Sequence, residues 1–310
     1  MTAPEELSSM DVVTQRATGL RVAGSTGTGS DTGVDGAVQA ADAAARAAGV
    51  SVRDLVDLPD LEEVIGLLNG IWGRSANPPM TLELLRALTK AGNYVSGAFE
   101  RGSLVGACVG FFHAPGEDAL HSHIAGVSAT GRNIGFALKL HQRSWALLHG
   151  VSEIAWTFDP LVARNAWFNL VKLAATPTEY LPNFYGPMGD KINGDDDSDR
   201  LLVRWRLADP RVTRACAGQS VGASAEDELA AGAAVALGVG DDGGPAPGDL
   251  GGPTALVAVP ADIGRLRADD PGLAQDWRLA VREALTALAA RGGRIDGFDR
   301  AGHYVVKGVR

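Results

Sequence analysis

The sequence predicts a mixed α/β fold: a central, mostly antiparallel sheet flanked by helices, followed by a small α/β extension at the C-terminus. The chain has 310 residues, 45% of them hydrophobic, which suffices for a large core. Of its 18 aromatic residues, 15 lie between Trp72 and Trp205, which locates that core. The predicted elements of the core run strand, two helices, three strands, helix, strand, helix, strand.

The first half of the core has clear element signals. Alanine dominates the first predicted helix, Pro59 opens the second and Thr81 caps the third. These helices cover residues 38–48, 59–71 and 82–90. The predicted strands cover residues 50–56, 94–99, 104–113 and 119–127. Short turns join the last three strands, so they predict an antiparallel meander.

The second half changes to a helix–strand–helix pattern. A helix over residues 133–149 places Ile134, Leu138 and Trp145 on one face at helical spacing. A buried strand, a second helix and a late strand follow at residues 153–157, 161–173 and 201–206. The pattern of the C-terminal extension predicts a buried strand, an amphipathic helix and a strand pair, at residues 254–260, 274–290 and 294–308.

Composition and charge exclude several classes of protein. The net charge of −9 and the pI near 5.2 argue against a nucleic-acid binder, which needs a basic surface. No apolar run reaches the ~18 residues of a membrane span, and the first residues lack the pattern of a secretory signal. Cys108 and Cys216 are too few to staple a chain of this length and indicate reduced thiols. We therefore expect a cytoplasmic protein without nucleic-acid or membrane partners, and a homodimer stays open.

Low-complexity segments divide the chain into four parts. Residues 1–34 are rich in Ser, Thr and Gly and predict a disordered N-terminal extension. Residues 35–210 form the main domain. Residues 211–253 contain no aromatic residue and many Gly and Pro, which predicts a linker. Residues 254–310 are too short for a large core of their own, so we expect this extension to dock on the main domain.

One strand-to-helix junction carries the strongest chemical signal. The predicted strand ends near Val127, a short loop follows, and residues 132–137 (RNIGFA) open the next helix. The first N–H groups of a helix have no partner within it, and the helix dipole adds positive charge, so the junction favours an anion. Gly135 lets a phosphate approach the backbone, and Arg132 adds a charged donor. An ordinary loop-to-helix junction is the alternative.

The motif Arg-x-x-Gly-x-Ala at this junction resembles the pyrophosphate-binding motif of the GNAT superfamily of acyl-CoA N-acyltransferases, written Gln/Arg-x-x-Gly-x-Gly/Ala. The order of predicted elements between residues 51 and 207 is similar to the GNAT order. Asn165 and the segment Lys172-Leu173-Ala174-Ala175 resemble the helix that follows the next GNAT strand. The segments TFDP and NFYG resemble a GNAT subgroup that carries a long C-terminal extension.

The resemblance implies a GNAT-like sheet and an acyl-CoA, in the first place acetyl-CoA, as co-substrate. In the family, the strand after the motif diverges from the motif strand and leaves a gap for the pantetheine arm. Ala125, Gly126 and Val127 would then offer backbone groups to pantetheine like an added strand, and Asn165 would hydrogen-bond it. The residues implied to hold the pyrophosphate are Arg132, Asn133, Ile134, Gly135, Phe136 and Ala137.

The catalytic residues are less defined. His121 and His123 alternate along one strand, so they share a face, and their usual pKa near neutrality suits a base. Structural histidines are the alternative, and with no third ligand nearby we predict no metal site. Many GNAT enzymes use as acid a Tyr two residues before the lysine of a Lys-Leu-Gly-Phe segment, but Leu170 stands there. Tyr185 and Tyr180 are the remaining candidates, with packing in a surface loop as the alternative.

Two further polar residues have open roles. His141 lies on the apolar face of its predicted helix and indicates a core residue. Asp159, at the end of a predicted strand, either binds a cationic amine or caps the next helix.

The resemblance favours an acyl-CoA-dependent N-acyltransferase that acts on a small amine by direct transfer. A non-catalytic GNAT-fold module that binds CoA or a partner is the alternative, because the usual Tyr is missing and the tail is long. A dinucleotide-binding fold is less supported, since no Gly-x-Gly-x-x-Gly opens a helix after the first strand.

Overall fold

The computed structural model describes residues 31–73, 78–128, 131–189, 196–219 and 222–310. Within these residues the mixed α/β fold is confirmed: helices flank a seven-stranded sheet and a five-stranded sheet. Most of the predicted N-terminal extension, residues 1–34, lies outside the described residues, and its last four residues belong to the first helix.

The seven-stranded sheet contains the predicted meander and its crossover. Its strands are β1 (Ser51–Asp54), β2 (Tyr94–Glu100), β3 (Ser103–Phe112), β4 (Ala119–Val127), β5 (Glu153–Phe158), β6 (Thr176–Leu181) and β7 (Arg200–Arg206), in the spatial order β1-β2-β3-β4-β5-β7-β6. β4 and β5 form a parallel pair, and the other neighbours are antiparallel. Between β2 and β3, Arg101 and Gly102 both have positive φ, of 50° and 87°, as a tight hairpin turn requires.

Helices cover both faces of this sheet. They are α1 (Asp31–Ala48), α2 (Leu58–Trp72), α3 (Leu82–Lys90), α4 (Ile134–Leu148) and α5 (Ala163–Ala166, continued as a π-helix over Trp167–Lys172). The helices α1, α4 and α5 share one apolar cluster with Leu120 and Ile154 of the sheet. The helices α2 and α3 share another with Val95 and Val109. The central strands are therefore buried on both sides.

The C-terminal part forms the second sheet. After α6 (Pro210–Cys216), its elements are α7 (Ala225–Ala230), β8 (Ala234–Val239), β9 (Pro245–Pro247), β10 (Thr254–Ala258), α8 (Ile263–Asp269), α9 (Pro271–Ala290), β11 (Arg294–Phe298) and β12 (His303–Lys307). The strand order is β11-β12-β10-β8-β9. The predicted strand, helix and strand pair of this extension are confirmed by β10, α9 and the antiparallel pair β11–β12.

The linker predicted over residues 211–253 requires a correction. This segment contributes α7, β8 and β9, and β8 lies inside the second sheet, parallel to β10. Ala236 and Leu237 are buried there. The strand is rich in Ala and Gly, which have low strand propensity, so its composition resembled that of a linker. Only its pairing partners make it a strand.

The two sheets share one core, and polar contacts connect them. The Tyr304 hydroxyl donates to the Pro160 carbonyl oxygen at 2.7 Å. Arg278 of α9 donates to both carboxylate oxygens of Asp159, at 2.8 and 3.0 Å. The apolar cluster around Trp156 extends without a break to Trp277 of α9. The C-terminal unit therefore packs directly behind β5.

Candidate active site

The strands β4 and β5 separate in the middle of the first sheet. Their pairs are Ala119 with Glu153, Leu120 with Ile154 and His121 with Ala155. Beyond His121, the described pairs of β4 are with β3 alone, while β5 continues to Phe158 paired with β7. The two strands thus form a V whose closed end lies at His121 and Ala155. The free edge of β4 inside the V offers backbone groups to another extended chain.

The N-terminus of α4 lies directly after β4. The Ala137 N–H donates to the Asn133 carbonyl oxygen at 3.1 Å, so the N–H groups of Ile134, Gly135 and Phe136 precede the first helical bond. A Cβ built on Gly135 would meet no atom within 4 Å. Asn133 has a φ of 59°, which turns the chain sharply into the helix. This opening has room for an anion close to the backbone.

A lysine that the sequence reasoning did not assign to this site lies at the same helix end. The Lys172 ammonium donates to the Asn133 side-chain oxygen at 2.7 Å and lies 4.9 Å from the centre of the Phe136 ring. Burial lowers the pKa of Lys172 from its ordinary value. The Lys-Leu pair at the end of α5 was its only sequence signal, because 39 residues separate Lys172 from Asn133.

Arg132 takes a position that differs from the expected one. Its guanidinium forms a two-pronged ion pair with Glu100 at the end of β2, with one N–O distance of 2.8 Å. Both side chains are partly exposed. Arg132 thus lies beside the opening of α4 with its charge already paired to Glu100.

The three β4 residues expected to face pantetheine differ in their surroundings. Ala125 is exposed and Val127 half-buried, whereas Gly126 is buried. A Cβ on Gly126 would lie 2.7 Å from Ile71 and 2.9 Å from Trp72, at the end of α2. Gly126 is therefore required by the packing of α2, while Ala125 leaves the backbone of β4 accessible.

Asn165 lies in the first turn of α5, just after β5. Its side chain is half-buried, and in the described part of the chain its amide group makes no hydrogen bond. Six residues before Asn165, the chain turns at Asp159.

Asp159 has a structural role here. Its Oδ1 accepts from the Leu161 N–H at 2.9 Å and so closes a turn just ahead of α5. Burial alone would raise the pKa of Asp159, but the guanidinium groups of Arg278 and Arg267 lower it to about 2. Neither of its two expected roles is found: the N-cap of α5 is Val162, and the Asp159 carboxylate is neutralised by the two arginines.

The two histidines share one face, as their alternation predicts. Both rings lie against Phe111, with centroids 5.0 Å away for His121 and 5.6 Å for His123. His123 is the extra residue of a β-bulge, because Val109 pairs with Ile124 and Gly110 with Ser122. Burial lowers the pKa of His121 to about 4, with smaller effects from neighbouring imidazoles.

Tyr185 lies on the same side of the sheet as the histidines. Its hydroxyl is 3.2 Å from Oγ1 of Thr157, which lies two residues beyond Ala155 on β5 and so shares the face of His121. Tyr185 is exposed. Within the described residues no direct contact joins it to the histidines, so the structure brings them to one face without linking them.

Three other residues singled out in the sequence have structural surroundings away from the V. The Tyr180 hydroxyl donates to Asp199 at 2.6 Å, and burial together with this bond raises the pKa of Tyr180. Leu170, in the position of the usual tyrosine, is buried in the core. His141 is half-buried, and its Nδ1 lies 2.9 Å from the Tyr94 hydroxyl.

Neither a metal centre nor a membrane-spanning helix is found among the described residues. Among them, no three His, Cys, Asp or Glu side chains converge in a way that could hold a metal ion. None of the described helices combines the length and apolar composition that crossing a bilayer requires.

Comparison with solved structures returns N-acetyltransferases that align with about half of the chain. An N-acetyltransferase from Staphylococcus aureus Mu50 is 16% identical with a TM-score of 0.42, over 51% of this chain and 98% of that chain. The yncA protein of Salmonella typhimurium, solved with its cofactor acetyl-CoA, is 16% identical with a TM-score of 0.43, over 51% and 94%. A GNAT-family acetyltransferase from Streptococcus pneumoniae is 13% identical with a TM-score of 0.42, over 50% and 97%. No family model and no curated protein matches the sequence.

Proposed function

We propose that the protein is an acyl-CoA-dependent N-acyltransferase that moves an acyl group, acetyl in the first place, directly to a small amine. The observation that carries this proposal is the V between β4 and β5, which opens beside the N-terminus of α4. A free strand edge and an anion site, next to each other, suit a ligand with an extended amide-containing arm and a pyrophosphate. Coenzyme A has both parts.

The donor would be held by backbone groups and one lysine. The N–H groups of Ile134, Gly135 and Phe136 suit the pyrophosphate, and the open space over Gly135 admits it. Lys172 adds a positive charge at the same helix end. The pantetheine arm would lie along the β4 edge at Ala125 and Val127, within reach of the Asn165 amide. Bound there, the donor supplies an activated thioester carbonyl.

The acceptor would approach from the face that carries the histidines. With its pKa near 4, His121 is uncharged at neutral pH and can accept a proton from the attacking nitrogen. The β-bulge at His123 disturbs the ladder beside the closed end of the V and leaves backbone groups to polarise a carbonyl. Tyr185 and Thr157 would form the β5 side of the acceptor pocket.

A second function is favoured by one observation. Leu170 is buried where a GNAT acid would stand, and Tyr180 is bound to Asp199. A module that binds CoA without turnover would need neither residue. The non-catalytic hypothesis predicts the same V and the same anion site, so only a measurement of turnover distinguishes the two functions.

The test combines binding with turnover. We expect acetyl-CoA to raise the melting temperature of the wild-type protein, and we expect thiol release when a panel of small primary amines is added. Binding without thiol release for any amine would support the non-catalytic module. An unchanged melting temperature across acetyl-CoA, longer acyl-CoAs and free CoA would reject the donor site itself.

A further inference from the structure

A lysine lies buried at the closed end of the V. Lys139 of α4 is 5% exposed, and its ammonium lies 3.8 Å from the centre of the Trp156 ring. The ammonium also donates to Oγ of Ser122 at 2.7 Å. Ser122 and Trp156 are the first residues beyond the last β4–β5 pair, one on each strand. Lys139 therefore bridges the two strands at the point where they part.

The surroundings of this ammonium hold no counter-charge. The Lys139 ammonium also donates a hydrogen bond to Oε1 of Gln142 at 3.1 Å. No carboxylate among the described residues forms an ion pair with Lys139. Nε2 of the same Gln142 is buried without a hydrogen-bond partner. Burying a cation on neutral partners is unfavourable, and packing alone would be served equally well by methionine. A buried ammonium on neutral partners favours a negative charge that comes close to it.

The Ser122 side chain connects the Lys139 ammonium with the closed end of the V. Because its oxygen accepts from Lys139, its own hydrogen is free to donate. Its only other described neighbour for such a bond is Sγ of Cys108, at a distance of 3.8 Å. A stronger acceptor at the closed end of the V would therefore receive the Ser122 proton.

We propose that Ser122, backed by Lys139, is the proton source for the thiolate that leaves when the acyl group is transferred. This inference rests on the function proposed above and names the acid that the sequence, with Leu170 in the usual tyrosine position, left unassigned.

The acceptor nitrogen forms a bond to the acyl carbon, and the carbon–sulfur bond breaks with its electron pair on sulfur. The Ser122 hydroxyl gives its proton to sulfur, forming the CoA thiol, and takes a proton from the Lys139 ammonium. The proton lost by the acceptor nitrogen passes to His121 or solvent, and solvent returns one proton to Lys139.

The electrostatics agree with this geometry. Burial lowers the pKa of Lys139 to about 8, which brings it near the pKa of an alkyl thiol. Among the described residues, the titratable groups that couple electrostatically to Lys139 are Cys108 on β3 and His121 on β4. Burial raises the pKa of Cys108, so its thiol stays protonated and adds no charge.

The decisive measurement needs no acceptor amine. The thiol of CoA bound to the protein is titrated by ultraviolet difference absorbance, with desulfo-CoA as the blank. In the wild-type protein we expect this thiol to titrate about one pH unit or more below that of free CoA. Lys139→Met should remove the difference, and Ser122→Ala should reduce it. Lys90→Met, at an exposed position on α3, is the matched control and should leave it unchanged.

The outcomes separate the inference from the function. If CoA does not bind the wild-type protein, the proposed function fails. If CoA binds but its thiol titrates as in free CoA, or equally in Lys139→Met, the inference alone fails. Ser122→Ala should also lower kcat by about 100-fold with little change in KM for acetyl-CoA. That loss should shrink with an aryl thioester, whose thiol leaves without help; an equal loss for both thioesters would indicate a structural effect.

Discussion

Two cations flank the N-terminus of α4, and the residues they contact distinguish them. Lys172 bonds a neutral amide oxygen of Asn133, so its charge is uncompensated by that partner. Arg132 is paired with Glu100, so its charge is already balanced. The motif drew attention to Arg132, whereas the geometry makes Lys172 the better anion ligand.

We therefore expect Lys172→Met to weaken acetyl-CoA binding. The loss of one charged hydrogen-bond donor from a half-buried site corresponds to about 1.4 kcal/mol, or about tenfold in Kd. Isothermal titration calorimetry measures it. Lys90→Met serves as the control, and an equal Kd for wild type and Lys172→Met would remove this lysine from the site.

The Arg132–Glu100 pair gives a prediction of opposite sign for its two members. Glu100→Gln frees the guanidinium, so acetyl-CoA should bind as well as or a few-fold more tightly than in the wild type. Arg132→Glu places a negative charge beside the anion site and should weaken binding by about tenfold or more. Weaker binding in Glu100→Gln would show that the pair itself holds the loop in shape.

At the scale of elements, the helix α4 and the strand β4 each contain one glycine, and the two glycines meet different structural requirements. Gly135 faces open space, and its backbone is in the ordinary helical region. Gly126 faces α2 at a distance that no Cβ can occupy without movement. The sequence grouped both glycines with the ligand; the surroundings separate them.

Gly135→Ala should stabilise the protein and weaken its donor binding together. Alanine in a helix is favoured over glycine by about 0.5–1 kcal/mol, and the new methyl group occupies the space proposed for the pyrophosphate. Thermal unfolding and calorimetry measure the two effects. A stabilised variant with unchanged acetyl-CoA affinity would contradict the proposed position of the anion.

Gly126→Val is expected to act differently. Its side chain would collide with Ile71 and Trp72, so α2 must shift and the free energy of unfolding should fall by about 1–3 kcal/mol. Urea denaturation measures the loss. A variant of unchanged stability would show that the end of α2 yields easily.

Two strands that the sequence did not predict lie at the edges of the two sheets. The meander was predictable because its strands are short apolar runs and its turns are short. β6 and β9 were missed because Pro177, Pro245 and Pro247 interrupt the strand pattern. Both are edge strands, which is where a residue without an N–H can be accommodated.

At the scale of the whole molecule, a buried ionic network joins the C-terminal unit to the end of β5. Asp159 and Asp196 are shared between Arg267 and Arg278, with N–O distances of 2.7 to 2.9 Å. Arg278 is 1% exposed. Removing one partner leaves uncompensated charge in the interior, so the network makes the two units depend on each other.

Arg278→Met should therefore destabilise the chain by about 3–5 kcal/mol, since two carboxylates lose their main partner. Urea denaturation measures this loss. Arg265→Met is the matched control: its ion pair with Asp269 is exposed, and its loss should change stability by less than about 1 kcal/mol. Equal stability of the two variants would contradict the role of the network.

The same network sets the response to acid. The pKa of Asp159 is about 2 in the folded chain and near 3.8 when unfolded, so its contribution is complete above about pH 5. That contribution, about 2–3 kcal/mol, is lost as the pH falls from about 4 to about 2. Denaturation midpoints across this range should fall more steeply in the wild type than in Asp159→Asn, and parallel slopes would argue against the assignment.

The sequence by itself determined the order of elements from α1 to α5, the meander and the junction at residues 132–137. Each is encoded in neighbouring residues: apolar strand runs, helical spacing, turn residues and the glycine after a strand. Only the tertiary structure decided which residues meet there. Lys172 reaches Asn133 across 39 residues, and Arg278 reaches Asp159 across 119. Pairs so distant leave no local pattern, because their contact depends on how helices and sheets pack rather than on any spacing along the chain.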